Sequence, residues 1–270
     1  MALQFGMTQT FGHSGEFGQG LGNVRPGQGT VVVAKDGTGD TDTITEALQI
    51  LTTTTLGGLI YIKEGTYTED ITIPNSKVVL QGSGWATKIV GYIKNLSLNE
   101  VKILDLEIDA TGKNNGIISG GFNNFTIKGC YIHGANDDGI YFGSGSKAII
   151  SNNNITANGN SGIYLTSSDA GIGEIPVGDL TGILVSNNFI YSNSSNGIRI
   201  ESATSHFTYY ITIVGNIIRD NGTREVWVRY AECYETIITS NNLAGTATNS
   251  IVDAGTSTLK DIGGVSLNIL

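Results

Sequence analysis

The sequence predicts an all-β fold: a single-stranded, right-handed parallel β-helix (a solenoid) with an N-terminal capping helix. Three observations carry this. A Gly-Ile phrase recurs as Asn115-Gly116-Ile117, Asp138-Gly139-Ile140, Ser161-Gly162-Ile163 and Asn196-Gly197-Ile198, and Gly116, Gly139 and Gly162 are spaced 23 residues apart. A fixed period of this size marks a repeat architecture, in which each unit buries its apolar side only by stacking on the next. A partner phrase recurs between them: Cys130-Tyr131-Ile132, Asn153-Asn154-Ile155, Asn188-Phe189-Ile190, Asn216-Ile217-Ile218 and Asn242-Leu243-Ala244. Finally, 38 Gly and only 3 Pro in 270 residues suit short strands joined by tight turns.

The elements follow in order. Residues 1–29 form a Gly- and Gln-rich arm carrying Phe5, Phe11 and Phe17 at six-residue spacing, either a leader or an attachment arm that packs on a neighbour. Residues 30–270 form the β-helix. Thr30 to Ala34 is a strand, and Asp36 to Asp40 a turn. Thr43 to Leu51 reads as a helix, because Ile44, Ala47, Leu48 and Leu51 share one face and Thr43 with Glu46 makes a capping box. An open solenoid end needs such a lid. Short strands follow at Leu59–Ile62, Ile71–Ile73, Val78–Leu80 and Lys88–Val90, and the coils become regular over residues 101–261. The third coil carries an insertion near Asp169–Leu180 and the fourth one near Ala203–Tyr210.

Asn recurs at one slot because it has both a donor and an acceptor for the backbone groups that a bend leaves unpaired. Asn153, Asn188, Asn216 and Asn242 are expected to stack in this way. The Gly before each Ile fits a bend needing positive φ or close backbone approach.

Composition excludes several classes. The net charge of -9, from 24 acidic and 15 basic residues, leaves no basic stripe for nucleic acid. No apolar run reaches transmembrane length, so membrane insertion is not expected. Met1 to Gly22 has neither the basic nor the apolar region of a signal peptide, so the expected location is virion, with release by lysis, or extracellular in a mature form, a cytosolic origin being the alternative. Two cysteines make no disulfide framework: Cys130 and Cys233 fall about three coils apart, roughly 14 Å, so Cys130 reads as an interior apolar group.

Residues 40–84 resemble the start of a pectate-lyase-like right-handed parallel β-helix, through Ile44-Thr45-Glu46-Ala47-Leu48, the run Gly57 to Tyr67 and the run Val78 to Gly84. The Asn-X-Ile and Gly-Ile phrases resemble the coils of that superfamily, and together they cover roughly residues 30–261. The resemblance implies an elongated carbohydrate handled on the outside of the coil. The superfamily spans polysaccharide lyases, polygalacturonases, pectin esterases, uronate epimerases and phage tailspikes, so fold alone assigns no activity. Asn136-Asp137-Asp138-Gly139 resembles the paired aspartates of polygalacturonases, which need one carboxyl as acid and another as base. The pattern departs from that family at Lys113-Asn114-Asn115, where a further aspartate is expected, and at Arg199-Ile200-Glu201, where Arg-Ile-Lys is. No His-Gly phrase follows Asp138 in the next coil.

Two candidate sites emerge. Asp109 and His133 occupy equivalent slots in adjacent coils, where a carboxylate would orient an imidazole for acid–base work. With Glu107, Asp137 and Asp138 they form the candidate catalytic or cation-binding cluster, and calcium is the cofactor such oxygens would take. Turn-forming aspartates and solvated surface charge are the alternative reading. The second candidate is a stripe. If each Gly-Ile Ile points inward, the next residue points outward. This gives Ile118, Tyr141, Tyr164, Arg199, Trp227 and Val252, with Thr166, Glu201 and Arg229 beyond. Stacked aromatics with Arg and Glu offer ring faces and hydrogen bonds to a sugar, so Tyr141, Tyr164, Arg199, Glu201, Trp227 and Arg229 are the expected substrate-binding set. Packing of the stripe against the inserted loops or a neighbouring subunit is its alternative.

Three functional readings stand. The first is a tailspike-like homotrimer that binds, and if an enzyme depolymerises, a polysaccharide or surface glycan. The second is a catalytically silent adhesive β-helix. The third is a uronate lyase or epimerase, with Arg199 and Arg229 stabilising charge on the substrate carboxylate.

Overall fold

A computed structural model describes residues 29–52, 57–169, 175–244 and 249–260. Residues 1–28 of the arm expected over 1–29 lie outside the described residues, as does the centre of the third-coil insertion at 170–174. The fold is the expected parallel β-solenoid of about 8 turns. Each coil lays one strand in each of three sheets, for example Phe122–Lys128, Tyr131–His133 and Ile140–Phe142, before Gly145–Ser151 begins the next. Sheet A holds the long strands and pairs Thr30–Val33 onward through Thr208–Val214. Sheet B runs from Gly65–Tyr67 to Asn242–Ala244, and sheet C from Ile71–Thr72 to Asn249–Asp253. All pairings within these sheets are parallel.

The core is a set of aliphatic columns. In sheet B, Ile89, Ile108, Ile132, Ile155, Ile190, Ile218 and Leu243 align one above the next, and all are fully buried. Sheet C stacks Ile93, Ile117, Ile140, Ile163, Ile198 and Val226 in the same way. Each such side chain contributes roughly 1.5–3 kcal/mol of burial. Alternation at period two therefore fixes which residues face out, and the next residue of each sheet C strand is the outward one.

The helix spans Ile44–Thr52, one residue later at each end than expected, and buries Ile44, Ala47, Leu48 and Leu51. Thr43 Oγ1 accepts the Glu46 amide, and the two amides before it are capped from another coil. The Glu69 carboxylate accepts the amides of Ile44 and Thr45 at 3.0 and 2.9 Å. An anion there meets the positive end of the helix dipole.

The bend between sheets A and B holds the buried Asn stack. Asn153 Nδ2 donates to Asn188 Oδ1, Asn188 to Asn216 and Asn216 to Asn241, at 3.0, 2.9 and 2.9 Å. The fourth member is Asn241; Asn242, expected there, is exposed at the start of its strand. The residue before each member takes a left-handed backbone, as at Gly129 (φ 69°) and Gly215 (φ 68°), which suits glycine. The Gly of the Gly-Ile phrase is needed for close approach instead. A methyl group at Gly139 would sit 2.7 Å from both Asn158 Nδ2 and the Gly162 carbonyl. Cys130 heads the Asn stack, fully buried, and burial pushes its thiol up to about 12. Cys233 lies four rungs from it along sheet A, not three, and both thiols are free. Among the described residues no helix is long and apolar enough to cross a membrane.

Candidate functional site

Sheet C places the outward stripe in register. Ile118, Tyr141, Tyr164, Arg199, Trp227 and Val252 pair successively across five parallel contacts. Adjacent strands lie about 4.8 Å apart, so side chains one rung apart are in contact. The Arg199 guanidinium lies 4.4 Å from the Tyr164 ring centroid and 5.5 Å from that of Trp227. Each contact is a cation–π attraction. Arg229 lies 5.1 Å and Arg224 4.2 Å from the Trp227 ring as well.

Glu201 ties this surface together. Its carboxylate accepts the Tyr164 hydroxyl at 2.7 Å, Arg199 Nε at 2.7 Å and Arg229 Nη1 at 2.8 Å. Burial alone would raise its pKa; the bonds from Arg229, Tyr164 and Arg199 outweigh burial and hold it below the usual carboxylate range. The Tyr164 hydroxyl is pushed well up by burial and by that carboxylate. Among the described residues Arg224 pairs with no carboxylate within ion-pair distance, so the Trp227 end of the stripe keeps an uncompensated cation.

Tyr141 extends the stripe under cover. It is 6% exposed, its ring meets Tyr164 edge-on at 5.1 Å, and its hydroxyl has no partner among the described residues. Burial first, then the Asp138 charge, pushes that hydroxyl up to about 12. Ile175, from the third-coil insertion, is buried against Gly120 and Gly143 on this side of the sheet. The two insertions are joined there: Asp169 accepts the Ser205 amide and binds His206 Nδ1 at 2.9 Å.

The acidic cluster divides. Asp109 and His133 are paired residues of adjacent strands, and Glu107, Asp109 and His133 bring ligand-type atoms within 4.8 Å of one another on sheet B. His133 Nε2 binds Glu107 Oε1 at 3.1 Å rather than Asp109. Lys88 Nζ sits between the carboxylates, 3.0 Å from Glu107 and 2.7 Å from Asp109, and supplies the positive charge that a calcium ion would bring. Burial opposes ionisation of Asp109, but Lys88 and Thr111 outweigh it and hold the carboxyl at about 2. Asp137 and Asp138 belong to the next bend instead. Asp137 is exposed, while Asp138 is buried and accepts the Ser161 amide at 2.9 Å and Asn160 Nδ2 at 3.0 Å. Burial raises the Asp138 carboxyl to about 6.

Sequence reasoning missed Lys88, Trp85 and Arg224, and also a second buried Asn stack, Asn158–Asn193–Asn221. The stack had a signal: each Asn lies three residues after an inward Ile, at Ile155, Ile190 and Ile218. Trp85 had none, because its short 3₁₀ turn, Gly84–Ala86, interrupts the repeat.

Comparison with known proteins bears on the coil and on its N-terminal part. The model described as "Pectinesterase" matches residues 30–113. The Brassica campestris pectinesterase/pectinesterase inhibitor is 39% identical over 88 residues, 32% of this chain and 15% of that protein. A probable pectinesterase/pectinesterase inhibitor of Brassica napus matches to the same extent. The chain thus spans under a sixth of the length of the curated relatives it matches. Among solved structures, the ORF18 protein of Geobacillus virus E2 superposes with a TM-score of 0.55 at 16% identity, over 81% of this chain and 56% of that one, a likeness of fold. The family model "Right handed beta helix region" matches residues 76–262, well over half of the chain, and the protein belongs to that family of right-handed parallel β-helices.

Proposed function

We propose that the chain binds an elongated carbohydrate along the outer face of sheet C, through Tyr141, Tyr164, Arg199, Glu201, Trp227 and Arg229. One observation carries this reading: the Arg199 guanidinium between the Tyr164 and Trp227 rings, fixed by a Glu201 that also holds Arg229. Such a surface offers ring faces for sugar rings and guanidinium edges for hydroxyls or carboxylates, with its side chains already ordered. The partial likeness to pectinesterases supports a polysaccharide partner. The reading carries with it an extracellular or virion-surface location and assembly as a homotrimer.

If the polymer is also cleaved, Asp138 is the best-placed acid. It lies three residues before Tyr141, at the entry to the same sheet C strand, and at about 6 its carboxyl changes protonation near neutrality. Asp109 and His133 stand on sheet B and Asp137 on an exposed bend, away from the stripe. The test is a glycan-array screen of wild type and Trp227→Ala, with folding checked by circular dichroism. Loss of a hot-spot aromatic is expected to weaken glycan binding about 30-fold. Unaltered binding would remove the stripe and turn attention to Asp109, His133 and Asp138. Incubation with uronate polymers separates the lyase reading, which demands unsaturated products absorbing in the ultraviolet.

A further inference from the structure

Sheet B carries a second aromatic surface that the proposed site does not use. Trp85 is 50% exposed, yet its ring is not free. Its Nε1–H donates to the Gly129 carbonyl at 3.0 Å, and the ring packs 5.2 Å from Tyr131. Tyr131 stacks on His133 at 4.5 Å and 30°. The Trp85 and Tyr131 rings are tilted by 37° to each other, and the result is an ordered aromatic step whose side chains lose little freedom when something lies on it. The polar group beside it is equally ordered. Glu107 Oε1 holds both Lys88 and His133, and Lys88 also holds Asp109. Among the described residues Glu107 Oε2 takes no hydrogen bond, so an ordered acceptor remains at the edge of the aromatic step.

We propose that this face is a second carbohydrate-binding surface, separate from sheet C, and that it takes neutral sugar rings. Charge decides the class. Here two carboxylates face a single ammonium and a histidine, so no cation is in excess, whereas three arginines surround Trp227 with Glu201 on the other sheet. An anionic polymer is disfavoured on sheet B. A second copy of the chain fits less well, because it would strip water from the Glu107 and Asp109 carboxylates without returning hydrogen bonds. Sugar hydroxyls return them, while the ring lies on Trp85 and Tyr131.

The chain has two tryptophans, and each face has one. Trp227→Phe leaves Trp85 as the sole indole, and Trp85→Phe leaves Trp227. Each variant, with its fold checked by circular dichroism, is titrated with a panel of neutral oligosaccharides that includes cellohexaose and maltohexaose, and with trigalacturonate. The proposal expects a saturable change in Trp85 emission with at least one neutral oligosaccharide and none with trigalacturonate. His133→Ala added to Trp227→Phe then weakens that binding about tenfold. No Trp85 response to any neutral glycan, or a response to trigalacturonate alone, overturns it. So does a concentration-dependent change in Trp85 emission without sugar, with a mass by light scattering that falls in Trp85→Ala, since that would make the face a contact between copies. The sheet C reading is scored by Trp227 in the other variant, so the two stand or fall apart.

Discussion

At the residue scale, carboxyl groups in three settings set the pH behaviour. Asp109 is held at about 2 by Lys88 and Thr111. Its folded pKa is below its unfolded one, so its contribution is complete above the ordinary value of 3.8 and is lost as pH falls toward 2. Asp138 is raised to about 6, so its sign is opposite: its contribution is complete below 3.8 and is lost as pH rises through 6. Glu225 is fully buried; its Oε2 accepts Asn221 Nδ2, its Oε1 has no partner among the described residues, and burial outweighs the Asn221 bonds and raises it in the same sense. Glu225→Gln keeps the shape and removes the ionisation. The expected result is a higher melting temperature than wild type at pH 8 and an equal one at pH 4, read by thermal denaturation. A deficit at pH 8 would mean that the Asn221 bonds outweigh burial and that the ionised form is the favoured one.

At the element scale, the bends carry more stability than their polar composition suggests. Asn188 Oδ1 accepts both the Asn153 amide and Asn153 Nδ2, and Asn188 Nδ2 donates to the Ile150 carbonyl. Asn188→Ala orphans these buried groups at about 1–3 kcal/mol for each, so a loss of about 3 kcal/mol is expected in urea unfolding. Asn242→Ala, on the exposed face one residue from the stack, is expected to stay within about 0.5 kcal/mol. Gly139→Ala is expected to destabilise as strongly as Asn188→Ala, since its methyl group would meet Asn158 and Gly162 in the next coil.

The same bends explain how far the sequence could be read. The period was legible because Gly116, Gly139 and Gly162 recur at equal intervals, and it put Tyr141, Tyr164, Arg199 and Trp227 in one column, as the strand pairings do. The Asn241-Asn242 doublet hid the right member of the stack, because either fits the phrase until Leu243 is aligned with Ile218. The pairing of Asp109 with His133 was legible from spacing. Glu107 was legible too, two residues from Asp109 on the same side, but Lys88, which holds both carboxylates, was not, because that contact depends on side-chain length and on a coil with no repeat phrase. Asp137 and Asp138 were grouped with them by nearness in sequence, whereas a bend between sheets carries them around a corner.

At the scale of the whole molecule, a solenoid has faces in place of a single cleft. Sheet C is rich in arginine and aromatic rings, and sheet B joins rings to a carboxylate–ammonium network. On the outer side of sheet A, Ile149 is exposed beside Leu184, its partner one rung on. Apolar patches of this kind are candidates for subunit contact. The trimer reading predicts three times the chain mass in light scattering and a shift toward monomer in Ile149→Lys. A monomer at all concentrations would remove it.

The most direct test of the sheet C assignment is residue-level mapping of a bound oligosaccharide chosen from the glycan array, by amide chemical-shift changes during titration. The account predicts that the largest changes fall on Tyr164, Arg199 and Trp227, three successive rungs of one sheet. Changes that spare those three residues while the sugar binds would contradict it.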